Sequence, residues 1–211
     1  EGNSRLSGTV KISRAKNAYL PILAAVLVSD KPIKLKNLPD LRDIRTMLRL
    51  LQNLGVKIDD HGEYTSFDAS QLTSHQATYE LVKTMRASIF VLGPLLARLG
   101  KAKVSLPGGC AIGTRPIDIH LKNLEKLGAK FNISSGYVES TECSFKACHL
   151  PLSFPSVGAT ENLMMASIFT EGETIIENAA REPEITDLAN FLNAMGASIK
   201  GAGTSKIIIT G

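Results

Sequence analysis

Tryptophan is absent from these 211 residues, and seven Phe and four Tyr supply all the aromatic side chains. Such a chain offers little on which nucleic-acid bases would stack. No block of Lys and Arg makes up for this. The net charge of +4 and the pI near 9.0 favour anionic ligands in general, without the basic stripe that tracks a phosphate backbone. Cysteine is scarce too, with Cys110, Cys143 and Cys148 making an odd set that has no framework spacing. A disulfide scaffold is thereby excluded, and free thiols in a reducing compartment are expected. Cys143, Cys148 and His149 cluster, but no second Cys/His group completes four ligands, so no metal is expected. The longest apolar run, residues 20–28, contains Pro21 and falls short of the roughly 20 residues that cross a bilayer. With no signal-peptide pattern visible, the expectation is a cytoplasmic protein that partners neither nucleic acid nor membrane.

What is present is an ordinary globular composition, 44% apolar and 21% charged, enough for one large domain or two small ones. Residues 106–116 read L-P-G-G-C-A-I-G-T-R-P. Gly108 and Gly109 open backbone conformations closed to other residues just before Cys110, and Pro116 fixes φ at the exit. A thiol near Arg115 would have its pKa lowered, and the guanidinium would attract anions. On the loop alone, a Gly-rich connector with an incidental cysteine fits equally well.

Near the start, T-V-K-I-S alternates like a strand, and a helix is predicted over 17–29 with Leu20, Leu23, Ala24 and Leu27 at helical spacing. Ser13 or Asn17 can cap it, and Pro21 is tolerable in a first turn. Lys16 and Asn17 then stand at a helix N-terminus, where free amides and the dipole favour phosphate or carboxylate. A solvated lysine fits the same residues.

Aligning Gly55, Gly128 and Gly196 shows a repeat: Leu54, Leu127 and Met195 precede them, and Leu51, Leu124 and Leu192 lie four before. Each glycine closes a helix at C′, and a strand starts within three residues. The glycines are 73 and 68 residues apart, the signature of three structural units. Earlier helices are predicted over 17–29, 84–99 and 159–170, followed by strands over 33–36, 103–106 and 174–177. Asp43, Asp118 and Asp187 stand before the glycine-ended helices. The fold class is therefore α/β, an inside-out barrel-like domain of three βαβαββ-type repeats with pseudo-threefold symmetry. The helices belong inside, because runs such as I-F-V-L-G-P-L-L-A are apolar on nearly every side.

Five motifs now coincide in register: K-N-A-Y-L-P-I-L-A-A, V-K-T-M-R-A-S-I-F-V-L-G-P-L, P-G-G-C-A-I-G-T-R-P, S-V-G-A-T-E-N and I-I-E-N-A-A-R-E-P-E-I-T-D. Together they make the chain resemble the enolpyruvyl transferase family, and within it the enzymes acting on UDP-N-acetylglucosamine. The resemblance implies an enzyme with two three-repeat domains and its active site in the cleft between. This chain holds one set of repeats. It resembles the N-terminal half, with residues 1–15 as a strand of the missing second domain and 16–211 as the three-repeat domain (16–77, 78–150, 151–211).

The implied reaction joins the enol carbon of phosphoenolpyruvate to the sugar's 3-hydroxyl and expels phosphate, the first committed step of peptidoglycan synthesis. It needs no cofactor. Cys110 is implied as the catalytic thiol, acting as acid or nucleophile, and as the target of fosfomycin. Lys16 and Arg115 would clamp the phosphate of phosphoenolpyruvate with Asn17 beside them. Arg86 and Phe90 would lie along the sugar nucleotide. Arg115, Pro116, Ile117, Asp118 and Ile119 would line its uridine and diphosphate side, with Ser156, Val157 and Gly158 at a helix start where small residues let amides approach phosphate.

The departures are specific. Phe154 stands where some members carry a Lys, and Phe90 replaces a Trp. The general-base Asp and further Arg residues that the family supplies from its other domain are not in this sequence. Asp43, Glu182, Arg181 and Asp187 are read as helix caps and loop ion pairs. Two alternatives remain: a sugar-nucleotide-binding half without turnover, and the shikimate 3-phosphate transferase. Against the latter stand K-N in place of its K-S motif and the thiol in the loop.

Overall fold

The computed structural model of the chain describes residues 7–12, 14–82, 85–106 and 117–211, with the backbone alone for Arg86. The first unit runs α1 (Lys16–Ala25), a 3-10 turn (Val26–Val28), β1 (Ile33–Leu35), α2 (Arg42–Asn53), β2 (Lys57–Asp60) and β3 (Thr65–Asp68). The second has β4 (Gln76–Ala77), α3 (Tyr79–Val82), a 3-10 segment (Arg86–Val91), α4 (Leu92–Leu99), β5 (Ala102–Ser105), α5 (Asp118–Leu127), β6 (Asn132–Ser134) and β7 (Tyr137–Ser140). The third has β8 (His149–Pro151), α6 (Val157–Ser167), β9 (Glu173–Glu177), α7 (Pro183–Ala194), β10 (Ser198–Lys200) and β11 (Lys206–Thr210).

Among the described residues the strands form three separate sheets, ordered β1-β3-β2, β4-β5-β7-β6 and β8-β9-β11-β10, and no barrel closes. In each sheet the last strand of the unit is paired antiparallel on both sides. A leading strand joins parallel in the second and third units, β4 on β5 and β8 on β9. Among the described residues the first sheet has no such strand.

The glycine-ended helices finish identically. Gly55, Gly128 and Gly196 have φ of +104°, +126° and +107°, the left-handed region that favours glycine. The next amide, of Val56, Ala129 or Ala197, returns to the carbonyl of Leu51, Leu124 or Leu192 at 3.0, 3.0 and 3.1 Å. The glycine amides bond Gln52, Glu125 and Asn193, each at 3.0 Å. This is the Schellman closure repeated three times, and it answers the sequence repeat residue for residue.

The apolar first helices form the centre. Residues 159–167 of α6 are buried at every position, as are 20–28 of the first unit. α4 packs on α6 and on Val26–Val28, while α1 and α6 both touch the Arg86–Val91 segment. α2 and α7 flank α1, and α5 and α7 flank α6. Helices inside and sheets outside is the inside-out arrangement expected.

Local details differ from the sequence reading. The helix expected over 84–99 is broken into the 3-10 segment and α4, with Pro94, which has no amide to bond residue 90, in the first turn of α4. Pro21 lies inside α1 rather than in its first turn. Its N-cap is Ala15, without a side-chain cap, so Asn17 does not serve there, and Ser13 lies outside the described residues. Asp43 and Asp118 lie in the first turns of α2 and α5 rather than before them, and α7 already begins at Pro183, ahead of Asp187. The strand read from T-V-K-I-S does not form over the described residues 7–12, where Val10 is 86% and Ile12 90% exposed. A strand without a neighbouring sheet has no ladder to hold it.

Candidate substrate-binding site

At the start of α1, Lys16 is the first helical residue, and the lack of a side-chain cap leaves first-turn amides unmet. Lys16 Nζ lies 2.9 Å from Asp43 Oδ2, with both side chains partly exposed. Between α1 and the first turns of α7 lies a cleft of about 900 Å³, lined by Lys16, Asn17, Glu184, Thr186, Asp187 and Asn190. One cation and the positive ends of two helices therefore share the cleft with two carboxylates. Asp43 is an ion-pair partner, as read, whereas Asp187 faces this cleft rather than capping α7.

The second surface is built where α5, α6 and the 3-10 segment meet. Ser156 is the N-cap of α6, its hydroxyl accepting from Ala159 N at 3.3 Å. The Thr160 hydroxyl donates to Ser156 O at 2.8 Å and accepts from Ala180 N at 3.1 Å, tying the turn down. The amides of Val157 and Gly158 remain as donors that the helix itself cannot satisfy. A side chain on Gly158 would begin 3.1 Å from Phe90 Cε1 and 3.2 Å from His120 Cε1. Gly158 thus gives room to two rings, a different demand from the amide approach read from sequence.

Behind those rings lies a buried polar knot. The Asn162 amide donates to Ile89 O and to His120 Nδ1, both at 3.0 Å, and its carbonyl oxygen accepts from Gly93 N at 2.8 Å. It supplies the cap that α4 lacks in its own sequence. Burial pushes His120 down to about 4, so the ring is neutral near pH 7.

Of the sequence candidates, Ile117, Ser156, Val157 and Gly158 gather on this second surface, with Ile117 and Ile119 packed partly into the core and Asp118 exposed. Lys16 and Asn17 lie at the first surface. Both surfaces adjoin the segment that Arg86 opens. Cys110, Arg115, Pro116 and the Arg86 side chain lie outside the described residues. Phe154 is 62% exposed just before the α6 cap. The remaining thiols are suppressed: burial pushes Cys143 up to about 12 and raises Cys148 as well, against a smaller opposing effect of Lys126.

Sequence reasoning passed over His120, Asn162 and Glu161. The first lies in the I-D-I-H-L run and the others in T-E-N, polar residues inside apolar helices. Glu161 is 1% exposed with neither carboxylate oxygen partnered among the described residues. Burial, then Glu184 and Glu182, raise it to about 9, so it is protonated at neutral pH.

The family model described as EPSP synthase (3-phosphoshikimate 1-carboxyvinyltransferase) matches residues 1–211. The chain belongs to this family. Within the EPSP synthase family it is 57% identical over all 211 residues to UDP-N-acetylglucosamine 1-carboxyvinyltransferase 2 of Carboxydothermus hydrogenoformans, covering 50% of that protein. It is 56% identical, with the same coverage, to UDP-N-acetylglucosamine 1-carboxyvinyltransferase of Lawsonia intracellularis. The chain spans about half the length of the curated relatives it matches. The enolpyruvyl transferase NikO from Streptomyces tendae shares the fold with a TM-score of 0.84 at 24% identity, over 100% of this chain and 50% of that one. EPSP synthase from Acinetobacter baumannii does so with a TM-score of 0.75 at 16% identity, over 97% of this chain and 47% of that one. Among the described residues no helix is long and apolar enough to cross a membrane.

Proposed function

We propose that this chain forms one wall of a site that transfers the enolpyruvyl group from phosphoenolpyruvate to the 3-hydroxyl of UDP-N-acetylglucosamine. The observation that carries the reading is the 54–57% identity, along the whole chain, to relatives that bear that activity's name. The α6 start adds chemical support, because a capped helix N-terminus with free first-turn amides suits a diphosphate.

In this reading Lys16 and Arg115 hold the phosphate of phosphoenolpyruvate beside Asn17. Arg86 and residues 115–119 hold the sugar nucleotide together with Ser156, Val157 and Gly158. Cys110 meets the alkene as acid or nucleophile. A new bond joins the sugar oxygen to the enol carbon while its CH₂ gains a proton. Loss of that proton and of phosphate then restores the alkene. The base that takes the hydroxyl proton belongs to a second wall, so the lone chain binds without turnover. Residues 16–211 form the three-repeat domain, and 1–15 pair with the other domain. The setting is cytoplasmic, at the first committed step of peptidoglycan synthesis, with fosfomycin directed at Cys110.

The discriminating experiment is calorimetric titration of the chain with UDP-N-acetylglucosamine and, separately, with shikimate 3-phosphate. Binding of the sugar nucleotide alone is expected. Preference for shikimate 3-phosphate would reassign the substrate within the family.

A further inference from the structure

The second and third units each place a strand ahead of their inner helices, and the first does not. β8 precedes α6 and joins β9 parallel, and β4 joins β5 in the same way. In the first sheet β1 pairs with β3 alone among the described residues, so its other edge is open. The first and third units match residue for residue. Ile33 opens β1 17 residues after Lys16 opens α1, and Thr174 of β9 lies 17 residues after Val157 opens α6. Lys34, Leu35 and Lys36 then correspond to Ile175, Ile176 and Glu177.

Those correspondences locate the ladder that the first sheet lacks. In the third sheet the Ile175 amide donates to Cys148 O at 3.1 Å, and Glu177 O accepts from the Leu152 amide at 2.9 Å. The equivalent groups at the open edge are the Lys34 amide and the Lys36 carbonyl. At Lys36 O the place of the strand amide is held by the Tyr19 hydroxyl, which donates at 2.8 Å. Residues 9–12, T-V-K-I, stand in the sequence position of the missing strand. Val10 and Ile12 alternate as Leu150 and Leu152 do, and Ile12 lies four residues before α1 where Leu152 lies five before α6. Leu150 and Leu152 are buried, whereas Val10 and Ile12 are exposed. One unit thus holds both an open sheet edge and two uncovered β-branched side chains at strand spacing.

We propose that the open edge of β1 is a docking edge for residues 9–12 of the same chain, which pair with it in parallel as β8 pairs with β9. The crossover through α1 has the length that the third unit uses, so the pairing closes within one chain. Val10 would lie opposite Leu35, matching Leu150 opposite Ile176. Lys11 would lie opposite Lys36, where the third unit has Pro151 opposite Glu177, and facing like charges weaken the ladder. With Tyr19 on Lys36 O, this makes the docked strand releasable. Pro32 and lysines 31, 34 and 36 blunt edge-to-edge pairing between two copies. The docking stands on the repeat, and only its competition with the second wall rests on the proposed function, which assigns residues 1–15 to that wall. One strand cannot serve both sheets, so docking holds the lone chain back from wall assembly.

The test is residue-resolved amide hydrogen exchange by NMR on the whole chain, with nuclear Overhauser contacts read between Val10 and Leu35. The Ile12 and Lys34 amides are expected to exchange at least about tenfold more slowly than in a chain carrying both Val10→Asp and Ile12→Asp. Lys36→Glu should slow them further, by removing the like-charge pair. Unprotected Ile12 and Lys34 amides without a Val10–Leu35 contact overturn the proposal. Protection that grows with protein concentration also overturns it, by assigning the strand to a second copy. Adding the complementary half of a relative should abolish the Val10–Leu35 contact. Association of the two halves while that contact persists overturns the assignment of residues 1–15 to the second wall and leaves the docking intact.

Discussion

Lys16 Nζ lies 2.9 Å from Asp43 Oδ2, joining the first residue of α1 to the first turn of α2. The cation assigned to the phosphate of phosphoenolpyruvate is already paired within the chain. An incoming phosphate must share Lys16 or displace Asp43. Asp43→Asn is therefore expected to raise phosphoenolpyruvate affinity about threefold, while stability changes by less than about 1 kcal/mol, as for other partly exposed pairs. Calorimetric titration and denaturant unfolding measure the two effects. Unchanged or weaker binding would remove Lys16 from the phosphate site.

Glu161 and His120 give opposite pH dependences. The folded carboxyl of Glu161 sits at about 9, above its unfolded value of 4.5. Its contribution is full below 4.5 and is lost as pH rises towards 9. His120 is lowered from 6.5 to about 4, so its contribution is full above 6.5 and is lost as pH falls towards 4. Between 4.5 and 6.5 the two slopes oppose, and above 6.5 Glu161 acts alone. Each slope is at most about 1.4 kcal/mol per pH unit. Wild type is expected to lose stability between pH 7 and 9 in urea unfolding, and Glu161→Gln should flatten that decline. An equal decline in the variant would show that Glu161 is ionised in the fold.

The three helix-ending glycines should not be equally replaceable. A side chain on Gly128 would begin 2.1 Å from Ser144 O, and one on Gly55 would begin 2.6 Å from Thr73 N. At Gly196 nothing lies within 4 Å, so only the left-handed backbone opposes alanine. Gly196→Ala is expected to cost about 1–2 kcal/mol. Gly128→Ala should cost about 3 kcal/mol or more, because backbone must move. Equal losses in denaturant unfolding would mean that the turn conformation alone decides all three.

Much of this fold was legible because its signals are local and repeated. Leu51, Leu124 and Leu192 mark a helical face, and Gly55, Gly128 and Gly196 mark its end, so three closures could be read without knowing any contact. The break at Pro94 was also written in the sequence, yet its apolar surroundings pull the reading towards one long helix. The polar knot was not legible. Asn162 lies 42 residues from His120 and 69 from Gly93, and only packing of α4, α5 and α6 brings them together. Glu161 likewise looks like any helical glutamate until its burial is seen. Lys16 was read at a helix start, but its engagement with Asp43, 27 residues on, belongs to tertiary structure.

Thiol chemistry separates the cysteines. Cys143 and Cys148 are partly buried, and both thiols are raised, Cys143 to about 12. Thiolate is the reacting form, so both should alkylate slowly at pH 7.5. Competitive labelling with mass mapping is expected to place most early label on Cys110. Equal labelling of the three sites would contradict a tuned thiol at that position.

On the proposed function, this chain supplies one wall of an enolpyruvyl transferase site. Its most direct test is phosphate release from phosphoenolpyruvate and UDP-N-acetylglucosamine, measured with the chain alone and after adding the complementary half of a relative such as the Carboxydothermus protein. Loss of a general base alone costs on the order of 10²–10⁴ in rate, and loss of positioning adds to that. No measurable release is expected from the lone chain, release is expected on mixing, and Cys110→Ser should abolish it. Turnover by the lone chain at ordinary enzyme rates, or release on mixing that Cys110→Ser leaves intact, would contradict it.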